Sequence, residues 1–274
     1  MRITQAWNFF FKHRLRNSDA GFTNSSGFPA KTESASTQMI SYAQNFEDVV
    51  LSRVFRKQKT GFYIDIGGYD PTTHSVTRHF YDRGWSGINV EPVGAFHEQF
   101  VRKRPRDLNL CTAVGDHEGT IEFHEWNNTG LSTADERFAA ERLESLGFTK
   151  SIRTVPLTTL ASICDQAVKK PIDFLKIDVE GLEKAVLIGG DWQKHRPRVV
   201  LVEAIRPIVP GDDPIDYTPT WPEWEEILFR NDYSFALFDG LNRFYYRNEE
   251  PAIKPLLEVP ANVRDSFTQA RTAA

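Results

Sequence analysis

GFYIDIGGYDP, residues 61–71, sets an apolar run, two adjacent glycines and two aspartates side by side. Phe62 to Ile66 reads as a buried strand, and Gly67-Gly68 ends it in a tight turn. A strand that breaks at glycines and leads into a helix usually holds a nucleotide-like ligand. A dinucleotide site asks for G-x-G-x-x-G, so that pyrophosphate can approach a bare helix N-terminus. Here Tyr69, Asp70 and Pro71 follow the glycines. Their side chains are bulky, and Asp70 repels phosphate.

On both sides of this turn, strands and helices alternate from Tyr42 onwards. "YAQNFEDVVLSRVF" carries apolar residues at helical spacing, and "THSVTRHFYDRG" reads as a helix stopped by Gly84. "GINVEP" is a second strand, followed by a helix from Ala95 to about Lys103. A single third strand is expected over "NLCTAV" (109–114), then another over "GTIEFHEW" and a helix around Asp135–Leu146. "DFLKIDVEGLEKAVLIGG" is strand, turn and helix, and the nearly all-apolar "RVVLVEAI" suits the middle of a parallel sheet covered on both faces. "YSFALFDGLNRFYYR" places Asp239-Gly240 between two apolar runs, a hairpin signal. The pattern predicts a mostly parallel α/β sheet closed by a C-terminal hairpin.

Composition narrows the function. The chain has 274 residues, enough for one sizeable domain, and a net charge of −4, which leaves no basic excess for nucleic acid. The two cysteines, Cys111 and Cys164, lack metal-ligand spacing and read as reduced core residues of a cytoplasmic protein. No apolar run approaches the ~20 residues of a membrane span. "MRITQAWNFFFKHRLR" has no signal-peptide form; its aromatic and basic residues suit a docking helix, a frayed tail or peripheral contact with the inner membrane face. Asn17 to Ser36 has linker composition.

Acidic groups around a glycine turn suit a ligand with an ammonium and a sulfonium, the charge pattern of S-adenosylmethionine. Asp65 stands in the strand before the glycines, and Glu91 ends the next strand, placed to accept both hydroxyls of a ribose. The plainer reading is that Asp65 and Asp70 cap turns and Glu91 pairs with a surface cation.

With these residues in view, the sequence resembles the FkbM-like methyltransferases. The likeness is carried, in order, by "SYAQNFEDVVL", "GFYIDIGGYDPTTHSVTRHFYDRGWSGINVEPV", "TGLST", "VPLTTL", "IDFLKIDVEGLEKAVLIGGDW" and "RPRVVLVEA". It implies a class I Rossmann-like methyltransferase fold with a mostly parallel seven-stranded sheet and helices on both faces. It also implies S-adenosylmethionine as donor and a hydroxyl acceptor, often in surface-polysaccharide or glycolipid biosynthesis. Residues 1–38 then form an N-terminal segment and linker, 39–250 the methyltransferase domain, and 251–274 a C-terminal tail. Members commonly have Gly-Ala where this chain has Gly67-Gly68; the change removes only a methyl, expected on the ligand side.

By position, Asp65, Gly67 and Gly68 are expected at the methionine end of the donor, with backbone amides facing its carboxylate. Glu91 and Pro92 fall at the ribose, and Ala113, Val114 and Asp116 beside the adenine, though Asp116 is equally a turn residue. The resemblance suggests that Gln44 and Glu47 cover the donor; as plain sequence they are exposed positions of an amphipathic helix. Asp178 and Glu180 alternate at a strand end, which puts both on one side of an extended segment. They offer a base and a substrate clamp or, with Glu203, three ligands for Mg²⁺. Asp178 as a helix N-cap is the structural alternative. His74 is a second candidate base. Ser132, Thr133, Tyr217 and Trp221 lie in segments that overhang the strand ends and are candidates for binding a small-molecule or lipid-linked glycan. Trp224 suits core packing. Three other readings remain: methylation of a secondary-metabolite hydroxyl, an NAD-dependent sugar enzyme, and a non-catalytic glycan-binding scaffold.

Overall fold

The central strands form where the chain is buried on both faces. The structure, a computed structural model, describes residues 38–126, 130–134, 144, 147–206 and 217–270. In chain order its strands begin with β1 (Met39–Ser41), β2 (Phe62–Ile66), β3 (Ser86–Val90), β4 (Leu108–Leu110), β5 (Ala113–Gly115) and β6 (Gly119–Trp126). They continue with β7 (Lys150–Thr159), β8 (Phe174–Ile177), β9 (Val199–Glu203), β10 (Tyr233–Phe238), β11 (Asn242–Arg247) and β12 (Phe267–Gln269).

The main sheet is mixed, in the order β10-β11-β9-β8-β2-β3-β4. β9, β8, β2, β3 and β4 are parallel, and the hairpin β10–β11 joins antiparallel to β9. Alternate residues serve opposite faces. Ile64, Ile66, Leu175, Ile177, Val200 and Val202 pack with Leu160, Val186, Trp192 and Trp224 on one side. Tyr63, Phe174, Val199, Leu201 and Phe244 pack with Leu51, Phe55, Phe80 and Trp85 on the other. The expected strand over 109–114 divides in two: β4 ends the main sheet, while β5 joins a small sheet of order β5-β7-β6. Between them the Thr112 hydroxyl donates to the Pro156 carbonyl at 2.9 Å, which carries the chain across to β7.

Residues 251–269 pack onto the domain. Ile253 and Leu257 are buried in the second core face, β12 pairs in parallel with β1, and Arg53 binds Asp265 at 2.6 Å. The expected helix around Asp135–Leu146 and the N-terminal linker lie largely outside the described residues.

Candidate active site

Register sets a polar row across the second face. In β2, Asp65 stands opposite Asn89 of β3 and Lys176 of β8. Asp65 is 1% exposed, and its Oδ2 accepts from the Thr77 hydroxyl at 3.0 Å. The Lys176 ammonium donates to the Gly67 carbonyl at 2.6 Å and lies 3.2 Å from Asp178 Oδ2 and 3.4 Å from Asp65 Oδ1. Burial works against its charge, yet Asp178 and Asp65 hold it above the usual lysine range. Lys176 therefore ties the glycine turn to the end of β8.

The turn itself is dictated by space. Gly67 has φ +78°, and a Cβ there would sit 1.7 Å from the Asp178 carbonyl oxygen. A Cβ at Gly68 would meet the Phe100 ring at 2.7 Å. The methyl missing at Gly68 is thus replaced from the core by Phe100, which corrects the expectation that it opened space on the ligand side. The amides of Gly67 and Gly68 are also not turned to a ligand, since both donate to the Val90 carbonyl, at 3.0 and 3.2 Å. Glu91 accepts the Tyr69 and Val93 amides, each at 2.8 Å, one on each carboxylate oxygen. Burial pushes its pKa up to about 7. Pro92 is half-buried beside it, and the Cys111 thiol lies 3.8 Å from the Pro92 carbonyl. Cys111 is exposed because β4 ends at Leu110; only Cys164 is the core residue expected of both.

Beyond β8 the chain does not stay extended: Glu180 takes φ +54°. This turn, rather than strand alternation, brings ligand oxygens of Asp178, Glu180 and Glu203 within 4.8 Å of one another. One carboxylate oxygen each of Glu180 and Glu203 is buried without a hydrogen bond. Burial, then the Asp178 charge, raises both carboxyls well above their ordinary range. Asp178 is not the cap of the following helix, Glu183–Ile188. The N-cap is Leu182, with no side-chain cap bond, and Glu183 instead braces the turn, accepting the Val179 and Gly181 amides at 3.1 Å each. The Thr133 hydroxyl holds the turn from above, donating to the Glu180 carbonyl at 2.7 Å.

The other expected residues divide. His74 sits in the loop after β2 at φ +57°, bridged to Ala43, with its pKa lowered by burial. Gln44 is half-buried, and Glu47 is not exposed as helical spacing suggested: it accepts from the Asn45 amide (2.9 Å) and the Asn242 side chain (2.8 Å). Ser132 is half-buried and accepts the Trp126 amide at 3.1 Å. Trp221 packs against Phe238 and under Arg243, while Tyr217 is 62% exposed. Trp224 is buried in the core. Ala113 and Val114 are buried in β5. Asp116 follows β5, with its backbone beside Gly189 at the end of the helix Glu183–Ile188, and pairs with His117 at 2.7 Å.

The family model described as "Methyltransferase FkbM domain" matches residues 65–235, more than half of the chain. The chain belongs to the FkbM methyltransferase family. A solved structure of methyltransferase FkbM from Methylobacillus flagellatus KT is similar at 12% identity with a TM-score of 0.42, a likeness too weak to carry an argument. It covers 72% of this chain and 47% of that one, so the chain spans about half of that protein's length. No curated protein matches the chain.

In this member of the FkbM family, two buried cationic side chains escaped the sequence reading. Lys176 looks like a flaw in the apolar strand "FLKI", since its partner Asp65 lies far off in sequence. Arg104 belongs to the run "RKRPRD", which suggests a solvated surface, yet it is fully buried. It donates to the Pro71 carbonyl (2.6 Å), the Ser75 hydroxyl (3.1 Å) and the Tyr63 hydroxyl (3.2 Å), clamping the loop that carries His74. No helix among the described residues is long and apolar enough to cross a membrane.

Proposed function

We propose that the chain is an S-adenosylmethionine-dependent O-methyltransferase acting on a sugar or glycan hydroxyl, on a free or lipid-linked acceptor, at the cytoplasmic side of the cell. The observation that carries the donor assignment is the set of buried carboxylates at the ends of β2, β3, β8 and β9. The unpartnered buried oxygens of Glu180 and Glu203 fit a cationic ligand and would repel a pyrophosphate. The same point speaks against a dinucleotide.

Asp65 and Glu91 would hold the donor, Glu91 taking the ribose on the lone pairs left beside its two amide bonds. When bound, the donor supplies an electrophilic methyl on sulfur. The chain's own part is to align a hydroxyl and accept its proton. Asp178 is the favoured acceptor of that proton: its side chain is 30% exposed, so it reaches the cleft, while Lys176 fixes its position. His74 is the second candidate, its pKa lowered by burial. Glu180 and Glu203, each with one buried carboxylate oxygen that has no hydrogen bond, are placed to contact the bound ligand. The loop at 130–134 helps exclude water: a methyl built on Gly130 would touch the Tyr69 ring at 3.5 Å. Support for a glycan comes from the family resemblance and from the exposed ring of Tyr217.

The test is methyl transfer from labelled S-adenosylmethionine to a panel of glycosides and lipid-linked sugars. Wild-type protein should label an acceptor, and Asp178→Asn should lose about 10²–10⁴-fold, the usual worth of a positioned base. Labelling that persists at wild-type rate in both Asp178→Asn and His74→Ala contradicts the base assignment.

A further inference from the structure

We infer that Lys176 is the resident cation of the acidic cluster, a positioning residue that fixes Asp178 and keeps a divalent metal out. Three carboxyl groups with oxygens within 4.8 Å of one another have the spacing to ligate a hard cation. One of the three is already engaged. Asp178 Oδ2 lies 3.2 Å from the Lys176 ammonium, which is itself anchored by the Gly67 carbonyl at 2.6 Å and by Asp65 at 3.4 Å. Lys176 is 7% exposed, and its head group is held among these partners. A divalent ion bound to Asp178 would sit beside that positive charge and be repelled by it.

The positive charge has a mechanical use too. It bridges the carbonyl of the glycine turn after β2 to the carboxylate after β8, so the donor side and the proton-accepting side of the cleft keep a fixed spacing. The exclusion of a metal concerns the cluster itself; the positioning role rests on the proposed function.

The test is a titration of the full chain with Mn²⁺, read by the loss of the free-ion electron paramagnetic resonance signal. Wild-type protein should show no saturable binding up to about 1 mM, the weak end of protein carboxylate sites. Lys176→Met should bind Mn²⁺ at least about tenfold more tightly, with Lys176→Gln as the alternative if the first does not fold, and Lys176→Arg should restore exclusion. Adding Glu203→Gln to Lys176→Met should abolish the gained binding. Saturable Mn²⁺ binding by wild-type protein that Glu203→Gln removes would overturn the inference, as would folded Lys176→Met and Lys176→Gln variants that bind none.

Discussion

The glycine pair shows how single atoms fix this site. Gly67 is required by conformation and by space together, because φ +78° disfavours any side chain and a Cβ would collide with backbone. Gly67→Ala should therefore destabilise by about 2 kcal/mol or more, measured by urea unfolding, since a carbonyl cannot retreat as a side chain can. Gly68 is different, for its Cβ meets only the Phe100 ring. Gly68→Ala should cost about 1–3 kcal/mol as an overpacked contact, and Phe100→Leu should cost less in the Gly68→Ala background than alone. Strictly additive costs would show that the two positions do not share the space. None of this was legible beforehand: "GG" announces a turn but says nothing of which side of it is filled, and Phe100 lies on a helix a full unit away.

Among elements, the sequence reveals what depends on its own spacing and hides what depends on a partner. Apolar runs located β2, β3, β8 and β9, and Asp239-Gly240 located the hairpin. Strand ends pointed to Asp178, Glu180 and Glu203, although the turn at Glu180 rather than strand alternation brings them together. The break between β4 and β5 was hidden, because Cys111-Thr112 is compatible with a strand until Thr112 finds Pro156. Lys176 was hidden likewise, since its meaning lies in Asp65 of the next strand. The segment after Glu250 carries no strong pattern, yet Leu257 is fully buried against the helix Glu47–Phe55. Leu257→Ala should cost about 2–5 kcal/mol in urea unfolding. A cost within experimental error would mean that this segment is not part of the cooperative unit.

At the scale of the whole molecule, buried carboxyls set the response to pH. Burial raises Glu47 to about 8, with Asp239 adding to the effect, and burial raises Glu91 and Glu183 to about 7 and Asp48 to about 6. Each keeps a proton in the folded chain that the unfolded chain releases near its ordinary pKa. Stability from these groups is thus present in acid and lost as pH rises to about 8. His79 acts at the other end: burial lowers it to about 4, so the unfolded chain gains a proton below about 6.5 that the folded chain does not. The melting temperature should fall between about pH 6.5 and pH 8.5 by calorimetry, and Glu47→Gln should flatten the fall. A melting temperature that rises over that range would contradict the assignment of protons to these carboxyls.

A cleft lined by buried acids, built to receive a sulfonium cation, is the claim on which the functional account turns. Isothermal titration with S-adenosylmethionine and, separately, NAD tests it most directly, using wild-type protein and Glu91→Ala checked for folding by circular dichroism. The account predicts saturable binding of S-adenosylmethionine by the wild type, at least about tenfold weaker in Glu91→Ala because the ribose loses its hydrogen bonds to the carboxyl, and no binding of NAD. Binding of NAD, or no binding of S-adenosylmethionine by folded wild-type protein, would contradict it.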